Sequence, residues 1–456
     1  MATTDPRDII ANAPMSRLQV AVVGITIALN ALDGFDVLSI SFAAPAIYKE
    51  WGIDNAALGI VLSMELIGMA LGSVFLGGVA DRIGRRPTIL GCLVAMAFGM
   101  AMATTARGLV ALSVWRVITG LGIGGMLAAI NAVAAEFSNT RRRALGVSLM
   151  SIGYPVGAVL GGLVVAQLLR VNADWRPIFF FGAAVTALLI PVVYFVVPES
   201  VHWLARRQPN GALDRINRAL RRMGHATVSA LPDITASARS RSIAEIFQPG
   251  LVAITTIVTL AYFFHITTFY FIVKWIPKIV VDMGFAQSSA AGVLVWTNVG
   301  GATGGAVFGL LTLRFGLKPL TIALLVLSTV MVTLFGRSPA DLERLSLICA
   351  MAGFCTNAGI VGLYAIIAQV FPTQVRAFGT GFTVGVGRGG SVLAPIIAGF
   401  LFNAGYSLPV VALTMASGSL FAAAVLIMLK LADRPEVPGQ DRPLRPTPVP
   451  EPRPAR

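Results

Sequence analysis

Residues 77–86 read Gly-Gly-Val-Ala-Asp-Arg-Ile-Gly-Arg-Arg, and residues 309–318 read Gly-Leu-Leu-Thr-Leu-Arg-Phe-Gly-Leu-Lys. Each is a short basic loop between two long apolar runs, and the two lie 232 positions apart. A second pair, Arg143-Ala144-Leu145-Gly146 and Arg376-Ala377-Phe378-Gly379, repeats at an offset of 233. Two matches at nearly one offset mark a duplicated unit, a construction typical of membrane carriers whose halves rock about a site between them.

Outward from these loops the chain is a series of apolar runs, near 19–44, 55–79, 88–106, 109–137, 144–169, 176–198, 250–275, 288–312, 319–336, 343–370, 377–403 and 407–431. About 20 apolar residues suffice for a helix to cross the hydrocarbon core. The 456-residue chain is 56% hydrophobic and 12% charged, against about 25% charged in soluble domains. That balance argues against soluble enzymes, nucleic-acid modules and disordered scaffolds. The expected fold class is an all-α polytopic membrane protein with twelve transmembrane helices in two pseudo-symmetric six-helix bundles. The division is an arm at 1–18, bundles at 19–198 and 250–431, a central loop at 199–249 and a tail at 432–456. The tail, with eight prolines after Asp433, is expected to be disordered. In the central loop, Leu213, Ile216 and Leu220 share one face and Arg215, Arg218 and Arg222 another, as in a helix lying along a membrane surface.

The net charge of +14 is mostly a topology signal. With the N-terminus inside, 25 Lys and Arg fall on that side and 8 on the other, which predicts both termini in the cytoplasm. The expected setting is a cytoplasmic inner membrane; the expected partners are the lipid bilayer and a small organic anion, with no nucleic acid, and a monomer is expected. Cys92, Cys349 and Cys355 lie inside apolar runs without metal-ligand spacing, so no metal is expected. Gly120-x-Gly122-x-x-Gly125 and Gly385-x-Gly387-x-x-Gly390 match a dinucleotide pattern, but neither follows a strand. They read as close-packing stripes. No P-loop is present, which argues against an ATP-driven pump; no cofactor is expected, only protons as coupling ion.

Several motifs carry a resemblance. Gly77-x-x-x-Asp81-Arg82-x-Gly84-Arg85-Arg86, Arg116-x-x-x-Gly120-x-Gly122-x-Gly124 and Pro198-Glu199-Ser200 resemble signatures of the major facilitator superfamily. Asp33-Gly34-Phe35-Asp36 resembles the first-span motif of its aromatic acid:H+ symporter family, with support from Glu136 and the Phe371-Pro372, Arg376 and Arg388 region. The resemblance covers residues 15–431 and implies proton-coupled import of benzoate-type or hydroxybenzoate-type acids, not an enzyme activity. Leu313 departs from it, standing where the family tends to keep an acid. Alternatives within the same fold are a porter for sugars or non-aromatic acids such as muconate or quinate, or an exporter of lipophilic compounds.

Ionisable residues inside spans are costly and therefore functional candidates. Asp33 lies ~21 Å from the inner start of its span and Arg116 ~11 Å from the outer start of the fourth, at 1.5 Å per residue. They are expected to face each other. Asp33, Asp36, Arg116 and Glu65 are the proton-coupling candidates; a static ion pair and a packing role for Glu65 are the alternatives. Arg388, ~17 Å into the eleventh span with no acid at that depth in its half, is expected to anchor a carboxylate. His265 and Tyr270 stand in an aromatic stretch that could meet a planar ring or only pack. Asp81, Arg82, Glu136, Arg143 and Arg376 are expected to form a gating cluster on the inner face, or else a solvated loop network.

Overall fold

The computed structural model describes residues 5–232, 246–372 and 375–429. The expected tail at 432–456 and the stretch 233–245 of the central loop lie outside the described residues. The N-terminal part comprises α1 (Pro6–Asn12), α2 (Arg17–Trp51), α3 (Asn55–Phe75), α4 (Gly77–Ile83), α5 (Arg85–Ala103), α6 (Leu109–Glu136), α7 (Arg143–Val171) and α8 (Arg176–Val196). Two short helices follow, α9 (Val201–Arg207) and α10 (Ala212–Arg222). The C-terminal part comprises α11 (Val252–Asp282), α12 (Gln287–Leu311), α13 (Leu317–Gly336), α14 (Leu342–Val370), α15 (Arg376–Asn403) and α16 (Leu408–Ile427). Twelve of these helices are long and apolar enough to cross a membrane.

Local chemistry sets the ends. Ser16 and Gln19 form a reciprocal capping box that starts α2, and Gly52 ends it at φ 57°, a conformation glycine adopts without steric cost. Asp54 then caps α3 by accepting from the Ala57 amide. Tight links of this kind force antiparallel neighbours. The ends of α2 and α16 nearest the chain termini define one face of the molecule, called here the terminal face; the opposite is the far face.

Within the first half α2 packs on α7 and α3 on α6; within the second α11 packs on α15 and α12 on α14. The halves meet through α3–α15, α7–α12 and α2–α11. Small residues bring the far ends together. A Cβ on Gly59 would lie 2.4 Å from the Pro395 carbonyl oxygen, and one on Gly399 would lie 2.5 Å from that of Asn55. Ser63 Oγ donates to the Val392 carbonyl across the same seam at 2.7 Å. The far face is therefore closed.

The central segment corrects one expectation. Ile216 and Leu220 of α10 are fully buried, packed with Trp203, Leu204 and Ile10 on the N-terminal half rather than spread on a lipid surface. Arg222 ties the end of α10 to the Phe195 carbonyl at 2.8 Å. The apolar stripe finds protein before it finds lipid.

Candidate functional site

Between the halves lies a cavity of about 260 Å³, walled by Tyr154, Tyr262, Phe269, Tyr270, Tyr364 and Arg388 among others. This is near the lower end of ligand pockets, roughly 300–1,000 Å³. Tyr262 and Tyr364 share a hydroxyl hydrogen bond of 2.9 Å. Arg388 Nη1 donates to Ser73 Oγ at 3.3 Å, reaching across to the N-terminal half. No acidic side chain lies within ion-pair distance of Arg388 among the described residues. Tyr270, a predicted contact, stands in the wall.

His265, predicted beside it, does not. The ring is fully buried, with Nδ1 at 2.8 Å from Ser419 Oγ and Nε2 at 2.8 Å from the Thr356 carbonyl. Both nitrogens are spent tying α11 to α16 and α14, so His265 is a packing residue and the expectation of a ligand contact is corrected.

The mid-depth charges differ from the expected pairing. Arg116 is ion-paired with Glu65, not with Asp33. Its Nη2 also donates to the Asp36 backbone carbonyl at 2.9 Å, its Nη1 contacts Met100 Sδ at 3.0 Å, and its guanidinium stands 5.2 Å from the Phe179 ring centre. The reason is geometric: α3 lies directly against α6, whereas α2 packs mainly on α7. Asp33 and Asp36 are 2% and 0% exposed, and none of their carboxyl oxygens has a hydrogen-bond partner among the described residues. Gly34 serves close packing: a Cβ there would sit 2.0 Å from the Tyr154 carbonyl oxygen.

Sequence reasoning missed Lys274. This residue is fully buried, donates to the Val37 carbonyl and lies 3.6 Å from Glu65. The apolar run is expected to end at 275, which puts the lysine at the outer edge of its span, whereas α11 continues to Asp282. The signal was available in Ile276, Ile279 and Val280, apolar residues that carry the helix another turn or more.

At the terminal face the predicted cluster is smaller and has a different hub. Arg85 Nη1 meets Asp81 at 2.7 Å and Arg85 Nη2 meets Glu136 at 3.1 Å. Glu199 accepts from the Arg85 and Ser200 amides, both at 2.9 Å, and so holds the start of α5. Burial pushes the Glu199 carboxyl above its ordinary range, and these two amides oppose that rise. The Asp81 carbonyl accepts from Trp203 Nε1 and Arg207 Nε, at 3.0 and 2.9 Å. Arg82, Arg143 and Arg376 are exposed and make no ion pair among the described residues, which corrects their place in the cluster. Arg376 only donates to the Phe371 carbonyl, at 3.3 Å.

Comparison with known proteins agrees with this architecture. The model of the Major Facilitator Superfamily matches residues 26–339 and 258–454. The gallate transporter of Pseudomonas putida is 29% identical over 94% of this chain and 95% of its own length. The 4-hydroxybenzoate transporter PcaK of Pseudomonas putida is 30% identical over 88% of this chain and 90% of its own. In fold, the chain is similar to the inward open xylose transporter XylE from E. coli, with a TM-score of 0.70 at 18% identity, covering 92% of this chain and 98% of that one. The chain is a transporter of the major facilitator superfamily.

Proposed function

We propose that this protein imports small aromatic carboxylates with protons across the cytoplasmic membrane. In this reading the two bundles, 19–198 and 250–431, rock about the central cavity, and the terminal face looks into the cytoplasm. The observation that carries the reading is Arg388, a cation in an aromatic wall with no acid in ion-pair range among the described residues. A guanidinium holds a carboxylate through two parallel charge-assisted hydrogen bonds, and the tyrosine and Phe269 rings offer faces to a planar substrate. The relatives transporting gallate and 4-hydroxybenzoate, both ring carboxylates, support the same substrate class. Asp33 and Asp36 supply the proton side. An ionised carboxyl without a donor is expensive in such a setting, which is what a proton-carrying group requires.

The test compares an aromatic acid with its amide. Wild-type protein should bind the acid at least ~10-fold more tightly, since the amide forfeits the charge-assisted bonds. Arg388→Lys should weaken acid binding while the protein still expresses, and Arg388→Ala should erase the preference. Equal binding of acid and amide by wild type, or a retained preference in Arg388→Ala, removes Arg388 as the anchor. Uptake into proteoliposomes under an imposed pH gradient tests the coupling separately.

A further inference from the structure

Lys274 belongs to the C-terminal bundle, yet its charge is spent inside the N-terminal one. The Lys274–Glu65 contact at 3.6 Å is the only ion pair that joins the two bundles among the described residues. Its surroundings are unbalanced without it. At mid-depth the N-terminal bundle buries Asp33, Asp36 and Glu65 against the single cation Arg116. Lys274, brought by the other bundle, adds a second cation within ion-pair range of this set. Glu65 faces Lys274 directly, and Arg116 shares that same carboxylate. Asp33 and Asp36 on α2 and Arg388 on α15 are other charges of this interior, and Lys278, one turn further along α11, is buried and paired with Asp282. Of the remaining helices packed on α11, α12 and α16 contain no charged residue, and Lys318, Glu343 and Arg344 of α13 and α14 stand at helix ends.

Lys274 lies ~12 Å from the far end of α11 and Glu65 ~15 Å from the far end of α3, at 1.5 Å per residue. Lys274 is thus in the far half of α11 and Glu65 at the middle of α3, on the seam that must part when the far face opens. The ammonium cannot stay at Glu65 while α11 swings away from α2 and α3. We propose that Lys274 is a removable counter-ion: it neutralises the N-terminal carboxyl cluster while the far face is closed, and a proton takes its place when the far face opens. This rests on the proton-coupled reading above. It adds the element that links protonation to the direction of opening. A proton arriving on Glu65 leaves Lys274 as an uncompensated buried cation, which favours its withdrawal. In reverse, a returning ammonium displaces the proton toward the terminal face.

The test reads conformation, not transport. Spin labels at the exposed far-face positions Asn172 and Ala286 report the α7–α12 separation, and the native cysteines Cys92, Cys349 and Cys355 are buried and unlabelled. In reconstituted wild-type protein the far-open fraction should rise as pH falls from 8 to 5. In Lys274→Gln the far-open to far-closed ratio should already be raised about a hundredfold or more at neutral pH, the scale expected when a buried pair is broken. Its pH response should be flat. Glu65→Gln removes the same pair from the other side and should give the same bias, so the test survives if Lys274→Gln fails to fold. Lys274→Arg should retain a wild-type slope. A pH-responsive wild type with an unchanged profile in Lys274→Gln and Glu65→Gln overturns the counter-ion role and leaves proton coupling standing. A flat wild-type profile overturns both.

Discussion

Asp33 and Asp36 stand three residues apart on α2, both buried and with neither carboxyl receiving a hydrogen bond among the described residues. Asparagine keeps their shape but cannot carry the proton of a carboxylic acid. Asp33→Asn or Asp36→Asn should therefore cut pH-gradient-driven accumulation at least ~10-fold, because the charge-bearing form is gone. Exchange of labelled for unlabelled substrate, which needs no net proton movement, should persist. Full gradient-driven accumulation in both variants would reduce the pair to a structural role. The two residues were legible as candidates because acids inside an apolar run are rare. Their partner was not, since Arg116 could be placed at a similar depth by counting but its facing helix could not. His265 shows the same limit. A histidine among aromatics reads as a ring contact until Ser419 and Thr356, from distant segments, are seen to occupy both nitrogens.

The proposed gate is a matter of how α4, α5, α6 and α9 converge on the terminal face. Arg85 joins three of them, with its side chain only 10% exposed, while Asp81 is 57% exposed and Glu136 18%. An exposed ion pair is worth at most about 1 kcal/mol, whereas hydrogen bonds to a buried charge contribute roughly 1.5–3 kcal/mol. Arg85→Gln should thus destabilise the purified protein more than Asp81→Asn, and both should slow transport while sparing substrate binding. Thermal unfolding and equilibrium binding on the same preparations check this; an Asp81→Asn variant as destabilised as Arg85→Gln would shift the weight to the Asp81 pair. Arg82, Arg85 and Arg86 are indistinguishable by type. Only the turn at Gly84, φ 112°, and the carboxyl of Glu199 against it aim Arg85 inward.

At the scale of the whole molecule the closed far face depends on backbone approaching backbone. Gly59 and Gly399 face each other there, and a Cβ added to either would lie 3.1–3.2 Å from the Cα of the other. A methyl group at Gly59 would also meet the Pro395 carbonyl at 2.4 Å, a contact that neither helix can relieve by turning a side chain. Gly59→Ala should wedge α3 from α15 and shift the carrier toward the far-open state by about tenfold, the scale of 1–3 kcal/mol of overpacking. Accessibility of a cysteine placed at Ser63, which lies beneath the seam, reads the shift. Unchanged accessibility would mean that the bundles close by another contact.

Helix number, the internal duplication and the location of ionisable groups within spans were determined by the sequence alone, because each follows from local composition and spacing. A run of about 20 apolar residues has few alternatives in a bilayer, and a repeat at a fixed offset needs no coordinates to be seen. Which helix faces which was decided only in three dimensions. The pairing of Arg116 with Glu65, the crossing of Lys274 into the other bundle, the Arg85 hub and the burial of α10 on protein all join residues far apart in the chain. Such contacts depend on the packing angle and register of whole helices, set by small residues such as Gly34, Gly59 and Gly399. Shifting a helix by one position turns its charged side chain by about 100°, enough to change its partner while leaving every apolar run as it was.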